Sequence, residues 1–203
     1  MRPILHTFLA GLCLALLTGC GTTKPSRYYL LTPVAEDTAG AVSIPAPALG
    51  IGPVAFPAYL DRPEIVIRNS GNELNYAGSD RWAEPLKTAF SRTLAENLSI
   101  ILPTDHTVIH PWPRSTMLDY EVIVNVTRFD ADAGGTVILT AGWELIRSRD
   151  ATVMKRNKAT YTEAAGSSNY AAIVAAQSRA VERLSLDIAA AISGAGLPAG
   201  ESR

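Results

Sequence analysis

The pattern of apolar and polar positions divides the chain into stretches with the period of a β-strand and stretches with the period of a helix. Three long segments in the second half alternate, at 117–130, 136–147 and 152–162, and short turns of glycine or charged residues separate them. Such alternation predicts half-buried antiparallel strands that form a meander. The inward positions of the first two are Leu118, Tyr120, Val122, Val124, Val126, Phe129, Val137, Leu139, Ala141, Trp143 and Leu145.

Shorter apolar segments in the first half predict further strands, at 27–32, 48–54, 64–68, 73–76 and 107–109. In the second of these, Gly50 and Gly52 alternate with apolar residues and predict that something packs closely against the glycine face. Between the second and third strands, Pro57 and Pro63 bracket a predicted turn. The inward residues of the second strand are Leu49, Ile51 and Val54.

Two segments repeat apolar residues at steps of three and four and are predicted helices. The first is expected to begin after an N-cap at Asp80, to hold Pro85 in its first turn and to end near Pro103. The second is expected to begin at Ser168 or Asn169 and to stop near Gly194. The order of elements predicts an α+β fold, a mainly antiparallel sheet with two amphipathic helices packed on one face.

The chain begins with Arg2 and an apolar run of about 14 residues, which is shorter than the roughly 18 to 20 residues of a membrane-spanning helix. A basic start, a short apolar run and small residues before a cleavage site predict a secretory signal. Two interpretations of this segment remain open. Either the cysteine is part of the cleavage signal, or the segment is a generic signal peptide in which the cysteine occurs by chance. The run ends in Leu17, Thr18, Gly19 and Cys20.

These features predict four parts in the chain. They are a signal peptide at 1–19, a tether at 20–26, a single α+β domain at 27–194 and a flexible tail at 195–203. Six residues beyond Cys20, fully extended, span about 20 Å. A domain tethered at Cys20 is therefore expected to lie close to a membrane surface.

Charge and cysteine content narrow the function classes. The chain carries 18 basic and 19 acidic side chains, and loss of Arg2 with the signal leaves a mature net charge of −2. This balance argues against a nucleic-acid-binding protein. The cysteines are Cys13 and Cys20; the first leaves with the signal and the second lies at the cleavage site, so no disulfide is expected.

Candidate chemistry is sparse. The run Gly50-Ile51-Gly52 precedes a proline rather than a helix, so it lacks the context of a dinucleotide site. His106 and His110 fall in a predicted strand, where positions four apart are about 13 Å apart, and we expect surface histidines rather than metal ligands. Asp130 and Asp132 are placed at a hairpin tip and are expected to be solvated turn residues. The sequence therefore predicts no catalytic residue, no metal and no cofactor.

Aromatic and apolar residues on predicted loops or helix starts are the candidates for contact with a partner protein. Tyrosine, tryptophan and arginine are favoured as anchors of protein interfaces. The alternative is that each of these side chains packs beneath its own loop. The candidate interface residues are Tyr59, Leu60, Arg62, Trp82 and Trp112.

Four stretches together resemble the ABC-type transport auxiliary lipoprotein family, the PqiC-like lipoproteins of MCE transport systems. The most specific are a Tyr-Leu-Asp-Arg-Pro turn and a downstream Trp-Ala-Glu-Pro, and the likeness extends over the mature chain. The motif residues are Leu60, Asp61, Arg62, Pro63, Trp82, Glu84 and Pro85, within 28–32, 49–54, 57–68 and 81–86. In structural terms, we expect Asp61 or Glu84 to pair with Arg62 or Arg81 and fix the turn.

The family resemblance implies a location and a role. Leu17-Thr18-Gly19-Cys20 is similar to a bacterial lipobox, which implies that Cys20 is diacylated through its sulfur and that the new N-terminus is acylated. Gly21, where an aspartate commonly retains such proteins at the inner membrane, implies anchoring at the outer membrane.

The implied role is non-enzymatic. The family implies a periplasmic component, as a ring-like homo-oligomer, that works with an MCE-domain protein and inner-membrane transport components to move lipids or other hydrophobic molecules. A lipid-anchored periplasmic enzyme and a structural lipoprotein that grips peptidoglycan are the alternatives.

Overall fold

The computed structural model describes residues 25–35 and 46–195. The predicted signal peptide, its cleavage motif and Cys20 lie outside the described residues. Within these ranges the chain forms eight strands and two α-helices. They are β1 (Arg27–Tyr29), β2 (Leu49–Ala55), β3 (Glu64–Arg68), β4 (Leu74–Trp82), α1 (Leu86–Ile101), β5 (Thr107–Ile109), β6 (Tyr120–Asp132), β7 (Thr136–Arg147), β8 (Thr152–Ala164) and α2 (Tyr170–Ala195).

Strand β6 is shared by three neighbours. Its one edge pairs antiparallel with β7, which in turn pairs antiparallel with β8. The other edge is divided between β2, which lies parallel beside Tyr120–Asn125, and β3, which lies parallel beside Ala131 and Asp132. Strand β5 pairs parallel with β2, β4 antiparallel with β3, and β1 parallel with β4. The α+β class is confirmed, and the sheet is mixed rather than purely antiparallel.

Both helices pack over the apolar face of the sheet and contact each other. The inward positions predicted for β2, β7, both helices and β6 from Tyr120 onward are buried there, because their periods of two and 3.6 residues place them on one side. The prediction for Leu118 is wrong, because this residue precedes β6, is half-buried and packs against Gly50. Three phenylalanine rings pack together where α1 contacts the sheet. The ring centroid of Phe90 lies 5.2 Å from that of Phe56 and 5.7 Å from that of Phe129. Such edge-to-face contacts favour a specific helix position.

The predicted start of the first helix is wrong. Strand β4 continues from Leu74 through Trp82, and α1 begins only at Leu86. Asp80 is therefore not an N-cap but a buried strand residue, to which the Tyr29 hydroxyl donates a hydrogen bond of 2.8 Å and which lies 2.8 Å from Arg27 Nε. Residues 74–82 form a strand because they pair with β1 and β3. An N-cap pattern depends only on neighbouring residues and therefore does not reveal those distant partners.

The predicted start of the second helix is confirmed at Asn169, whose Oδ1 accepts a hydrogen bond of 2.8 Å from the backbone N–H of Ala172. The helix continues to Ala195, which the prediction had assigned to the tail. Residues 196–203 lie outside the described residues. Within the described ranges, neither helix has the length and apolar character to cross a bilayer.

The close packing predicted at the glycines of β2 is confirmed. A Cβ atom on Gly50 would lie 2.6 Å from Leu118 Cδ1 and 2.8 Å from Trp112 Cη2. Gly52 has a φ of +117°, and a Cβ there would lie 2.8 Å from His110 Cβ. The loop that carries Trp112 therefore lies directly on the backbone of β2.

Gly50→Ala is expected to destabilise the fold by about 1–3 kcal/mol, because the added methyl group displaces the indole and the leucine packed on the strand. Thermal and urea unfolding measure the change. Gly71→Ala is the matched control, since a Cβ at Gly71 meets no atom within 4 Å. Equal stability of the two variants would contradict the packing described here.

Candidate partner-binding surface

The predicted proline-bracketed turn connects the two strands that share the edge of β6. The chain leaves that edge after Ala55, forms a short 3-10 turn over Ala58–Leu60 and returns as β3. Two backbone hydrogen bonds close the turn, from Leu60 N to the Pro57 carbonyl at 3.0 Å and from Asp61 N to the Ala58 carbonyl at 3.1 Å. The Leu60 side chain is 2% exposed and fixes the turn to the core.

A buried carboxylate holds the other side of the turn. Asp130 of β6 is fully buried, and the Tyr59 hydroxyl donates a hydrogen bond of 3.0 Å to its Oδ2. Arg68 Nη2 lies 2.8 Å from Oδ2, and Arg128 Nε lies 2.8 Å from Oδ1. The carboxylate thus receives donors from the turn, from β3 and from β6, as a buried charge requires.

The surroundings of Tyr59 favour its protonated phenol, which is the form that donates a hydrogen bond to Asp130. Burial and the neighbouring Asp130 carboxylate raise the pKa of the Tyr59 phenol to about 12. The hydrogen bond to Asp130 raises the pKa of Arg68 above its ordinary value. At neutral pH the tyrosine is protonated and the arginine is charged, so both donate to the carboxylate.

The prediction that Asp130 is a solvated tip residue is wrong. The register of β6 against β7 shifts between Val126 and Arg128, so the strand continues past Phe129 and buries Asp130. Asp132 does lie at the turn, where its Oδ1 accepts hydrogen bonds from the backbone N–H groups of Gly134 and Thr136 at 2.9 and 2.8 Å.

The two sequence motifs meet in space. The backbone N–H of Trp82 donates a hydrogen bond of 2.7 Å to the Pro63 carbonyl and joins the end of β4 to the end of the turn. Between them lies an open cavity of about 300 Å³. It is lined by Asp61, Arg62, Pro63, Trp82, Ala83, Glu84 and Pro85.

Arginine–glutamate pairs form the rim, but not the pairs expected from the sequence. Arg62 and Arg81 both face Glu64, at 3.3 and 3.7 Å. Glu84 instead accepts hydrogen bonds of 2.9 and 3.1 Å from Arg92 of α1. The expected pairing of these arginines with Asp61 or Glu84 is therefore wrong, because β-pairing places Glu64 directly opposite Arg81.

The structure distributes the five candidate interface residues among three environments. Tyr59 and Arg62 are half-buried beside the turn, and the Arg62 guanidinium lies 3.7 Å from the centre of the Tyr76 ring. Leu60 and Trp82, at 2% and 5% exposure, belong to the protein's own core and support the surface from below. These two residues offer almost no area to a partner.

Trp112 lies away from the other four. Its indole rests on Gly50, which is opposite Glu121 in β6, whereas Tyr59 bonds Asp130 nine residues further along that strand. Nine strand residues span roughly 30 Å. Trp112 is half-buried, with the exposed His110 ring edge-on to it at 5.3 Å.

His106 is also exposed. In the part of the chain that the structure describes, no three histidine, cysteine, aspartate or glutamate side chains are grouped to hold a metal ion.

Sequence reasoning missed the residues that fix the site, namely Asp130, Arg68, Glu64 and Arg92. One signal for Asp130 was present, because the apolar positions of β6 step by three from Val126 to Phe129 and so indicate a bulge rather than the end of the strand. No sequence signal identified which arginine pairs with which carboxylate, because several arginines carry the charge that such an ion pair requires.

A family model described as an ABC-type transport auxiliary lipoprotein component matches residues 29–189. The chain belongs to this family. The match includes the turn, β4, α1 and most of α2, so the resemblance stated from the motifs is confirmed over nearly the whole described domain. The family is one of lipoproteins that accompany transport systems.

Solved structures support the same fold. A crystal structure of an uncharacterized protein matches with 23% identity and a TM-score of 0.68, and covers 83% of this chain and 99% of that chain. A crystal structure of a protein from Xanthomonas campestris matches with 19% identity and a TM-score of 0.68, and covers 83% and 96%. No match was found among curated proteins.

Asp130→Asn is expected to destabilise the domain by about 3 kcal/mol, because two arginines lose their buried counter-charge. Urea unfolding measures this loss. The control is Asp61→Asn, because Asp61 is exposed and forms no ion pair with any other residue that the structure describes. We expect this change to alter stability by no more than about 0.5 kcal/mol. Similar midpoints for the two variants would show that the cluster does not hold the turn.

Proposed function

We propose that this chain is the outer-membrane-anchored, periplasmic component of an MCE-type transport system that moves lipids or other hydrophobic molecules between membranes. The observation that carries the proposal is the family match over residues 29–189, combined with the meeting of both specific motifs at one open cavity. The domain acts by binding rather than by catalysis. Its partners are an MCE-domain protein and inner-membrane transport components.

The cavity suits contact with another protein chain. Pro63, Ala83 and Pro85 form an apolar lining, and Arg62 and Glu84 contribute charge to the surroundings. A partner gains most from a surface whose side chains are already ordered, because binding then costs less conformational entropy. The ion pairs of Arg62 and Glu84 provide that order.

Lipid attachment supplies the location. After cleavage of residues 1–19, acylated Cys20 becomes the N-terminus, and the first described residue, Pro25, follows five positions later. Three acyl chains hold a protein stably, whereas one chain alone binds a membrane only marginally. Gly21 after the cysteine supports the outer membrane. We further propose that several copies form a ring-like homo-oligomer around the transport path.

Cys20→Ser is expected to block acylation and signal cleavage, because the thiol that receives the lipid is lost. The measurement is cell fractionation with mass spectrometry of the N-terminal peptide. Wild-type protein should yield an acylated peptide beginning at Cys20, and the variant should yield an uncut or mislocalised precursor. Normal maturation of the variant would overturn the lipoprotein anchor at this residue.

Ala83→Arg tests the cavity as the partner site, because an exposed alanine in its lining becomes a long charged side chain. In affinity purification from detergent-solubilised envelopes, we expect at least a tenfold loss of the MCE-domain protein. Ala175→Arg, an exposed position in the second turn of α2, is the matched control and should retain the partner.

The outcomes of this purification separate two failures. Absence of any MCE-domain protein from the wild-type sample would overturn the proposed function. If Ala83→Arg and the control recover equal amounts of the MCE-domain protein, the proposed function stands but the cavity is not the docking site. Far-ultraviolet circular dichroism and the melting temperature establish that both variants are folded.

A further inference from the structure

The outer side of β1 exposes large side chains close in sequence to the predicted lipid anchor. Tyr28 and Leu30 are 64% and 48% exposed, whereas Tyr29 bonds Asp80 and Leu31 is buried in the core. This alternation places Tyr28 of β1 and Leu30, which directly follows β1, on one side of the chain. A tyrosine beside a leucine combines apolar surface with a polar hydroxyl, which is the chemistry favoured where a membrane meets water.

A row of side chains continues from Tyr28 across the sheet. Tyr28 is opposite Arg81 of β4, and Arg81 is opposite Glu64 of β3. Arg62 pairs with Glu64 and stacks on Tyr76, which is 37% exposed. We refer to this surface as the anchor-side face, and it consists of Tyr28, Leu30, Arg62, Glu64, Tyr76 and Arg81.

The charge of the anchor-side face suits phospholipid headgroups. Two guanidinium groups share the single carboxylate of Glu64, so the face carries a net positive charge. Arg81 Nη2 lies 3.7 Å from Glu64, which is too long for a hydrogen bond, whereas its Nε is buried and has no hydrogen-bond partner among the described residues. The terminal nitrogens of the partly exposed guanidinium, not Nε, are therefore the donors for a lipid phosphate, and guanidinium binds phosphate oxygens well.

The length of the tether brings this face to the membrane. Tyr28 follows Cys20 by eight residues, which span at most about 29 Å when fully extended. Met117, the most exposed large apolar side chain among the described residues, instead precedes the first residue of β6. The anchor-side face lies beside the other half of that strand, because β3 pairs with Ala131 and Asp132.

We propose that the anchor-side face rests on the phospholipid headgroups of the membrane that holds the lipid anchor. The inference depends on the acylation of Cys20 proposed above. The anchor keeps the face at high local concentration near the bilayer, so individually weak contacts suffice to orient the domain. Because Arg62 belongs to this face and also lines the cavity, the partner site opens beside the membrane surface.

Site-specific fluorescence tests this orientation on the full mature lipoprotein. The chain has two cysteines, one removed with the signal and one blocked by acylation, so an introduced cysteine is the only free thiol. Leu30→Cys and the matched control Met117→Cys are labelled with an environment-sensitive fluorophore. Both proteins are reconstituted into vesicles of phosphatidylethanolamine and phosphatidylglycerol that contain a headgroup spin label.

The expected result is a blue-shifted label at position 30 with at least threefold stronger quenching than at position 117. Adding Arg81→Glu to the Leu30→Cys protein should reduce that quenching by at least half. Equal quenching at both positions would overturn the proposal, as would protection of position 30 that develops only after the transport partner is added. Mass spectrometry of the acylated peptide separates failure of this orientation from failure of the anchor itself.

Discussion

The Asp130 carboxylate, buried in the second half of β6, requires partners that three different parts of the chain supply. Transfer of an unpaired carboxylate into the interior is strongly unfavourable, so Tyr59, Arg68 and Arg128 must all reach it. Asp130 lies in β6 between the part that pairs with β2 and the part that pairs with β3. A chain that leaves this edge and returns to it needs a fixed turn between the two strands, and Asp130 fixes it.

The segment between β2 and β3 also forms one side of the candidate partner site. Leu60 holds one side of it in the core, and the Pro63 carbonyl accepts the backbone hydrogen bond of Trp82. The specific motif residues therefore divide into two kinds. Leu60 and Trp82 are buried and support the surface, whereas Arg62 and Glu84 are paired with other side chains and remain partly accessible. A motif that identifies a family thus contains both buried structural residues and accessible surface residues.

The placement of the domain matters as much as its surfaces. The proposed tether precedes β1, where Tyr28 and the following Leu30 are exposed, and the neighbouring strands continue the same face toward the cavity. Proposed membrane contact and proposed partner contact are therefore adjacent on one side of the sheet. This arrangement is consistent with a lipoprotein that works by holding a docking surface at a set position near a bilayer.

Periodicity along the chain determined the long strands β6 to β8, the buried stripes of both helices and the close packing at Gly50, because burial with a period of two or 3.6 residues is a local pattern. The motifs also determined the family. Only the tertiary structure decided the mixed sheet, the burial of Asp80 and Asp130, and the joining of both motifs at one cavity. Each depends on partners distant in sequence: 51 residues separate Tyr29 from Asp80, and 71 separate Tyr59 from Asp130. A local pattern does not show which distant residue will form a given hydrogen bond, because it depends only on residues close together in sequence.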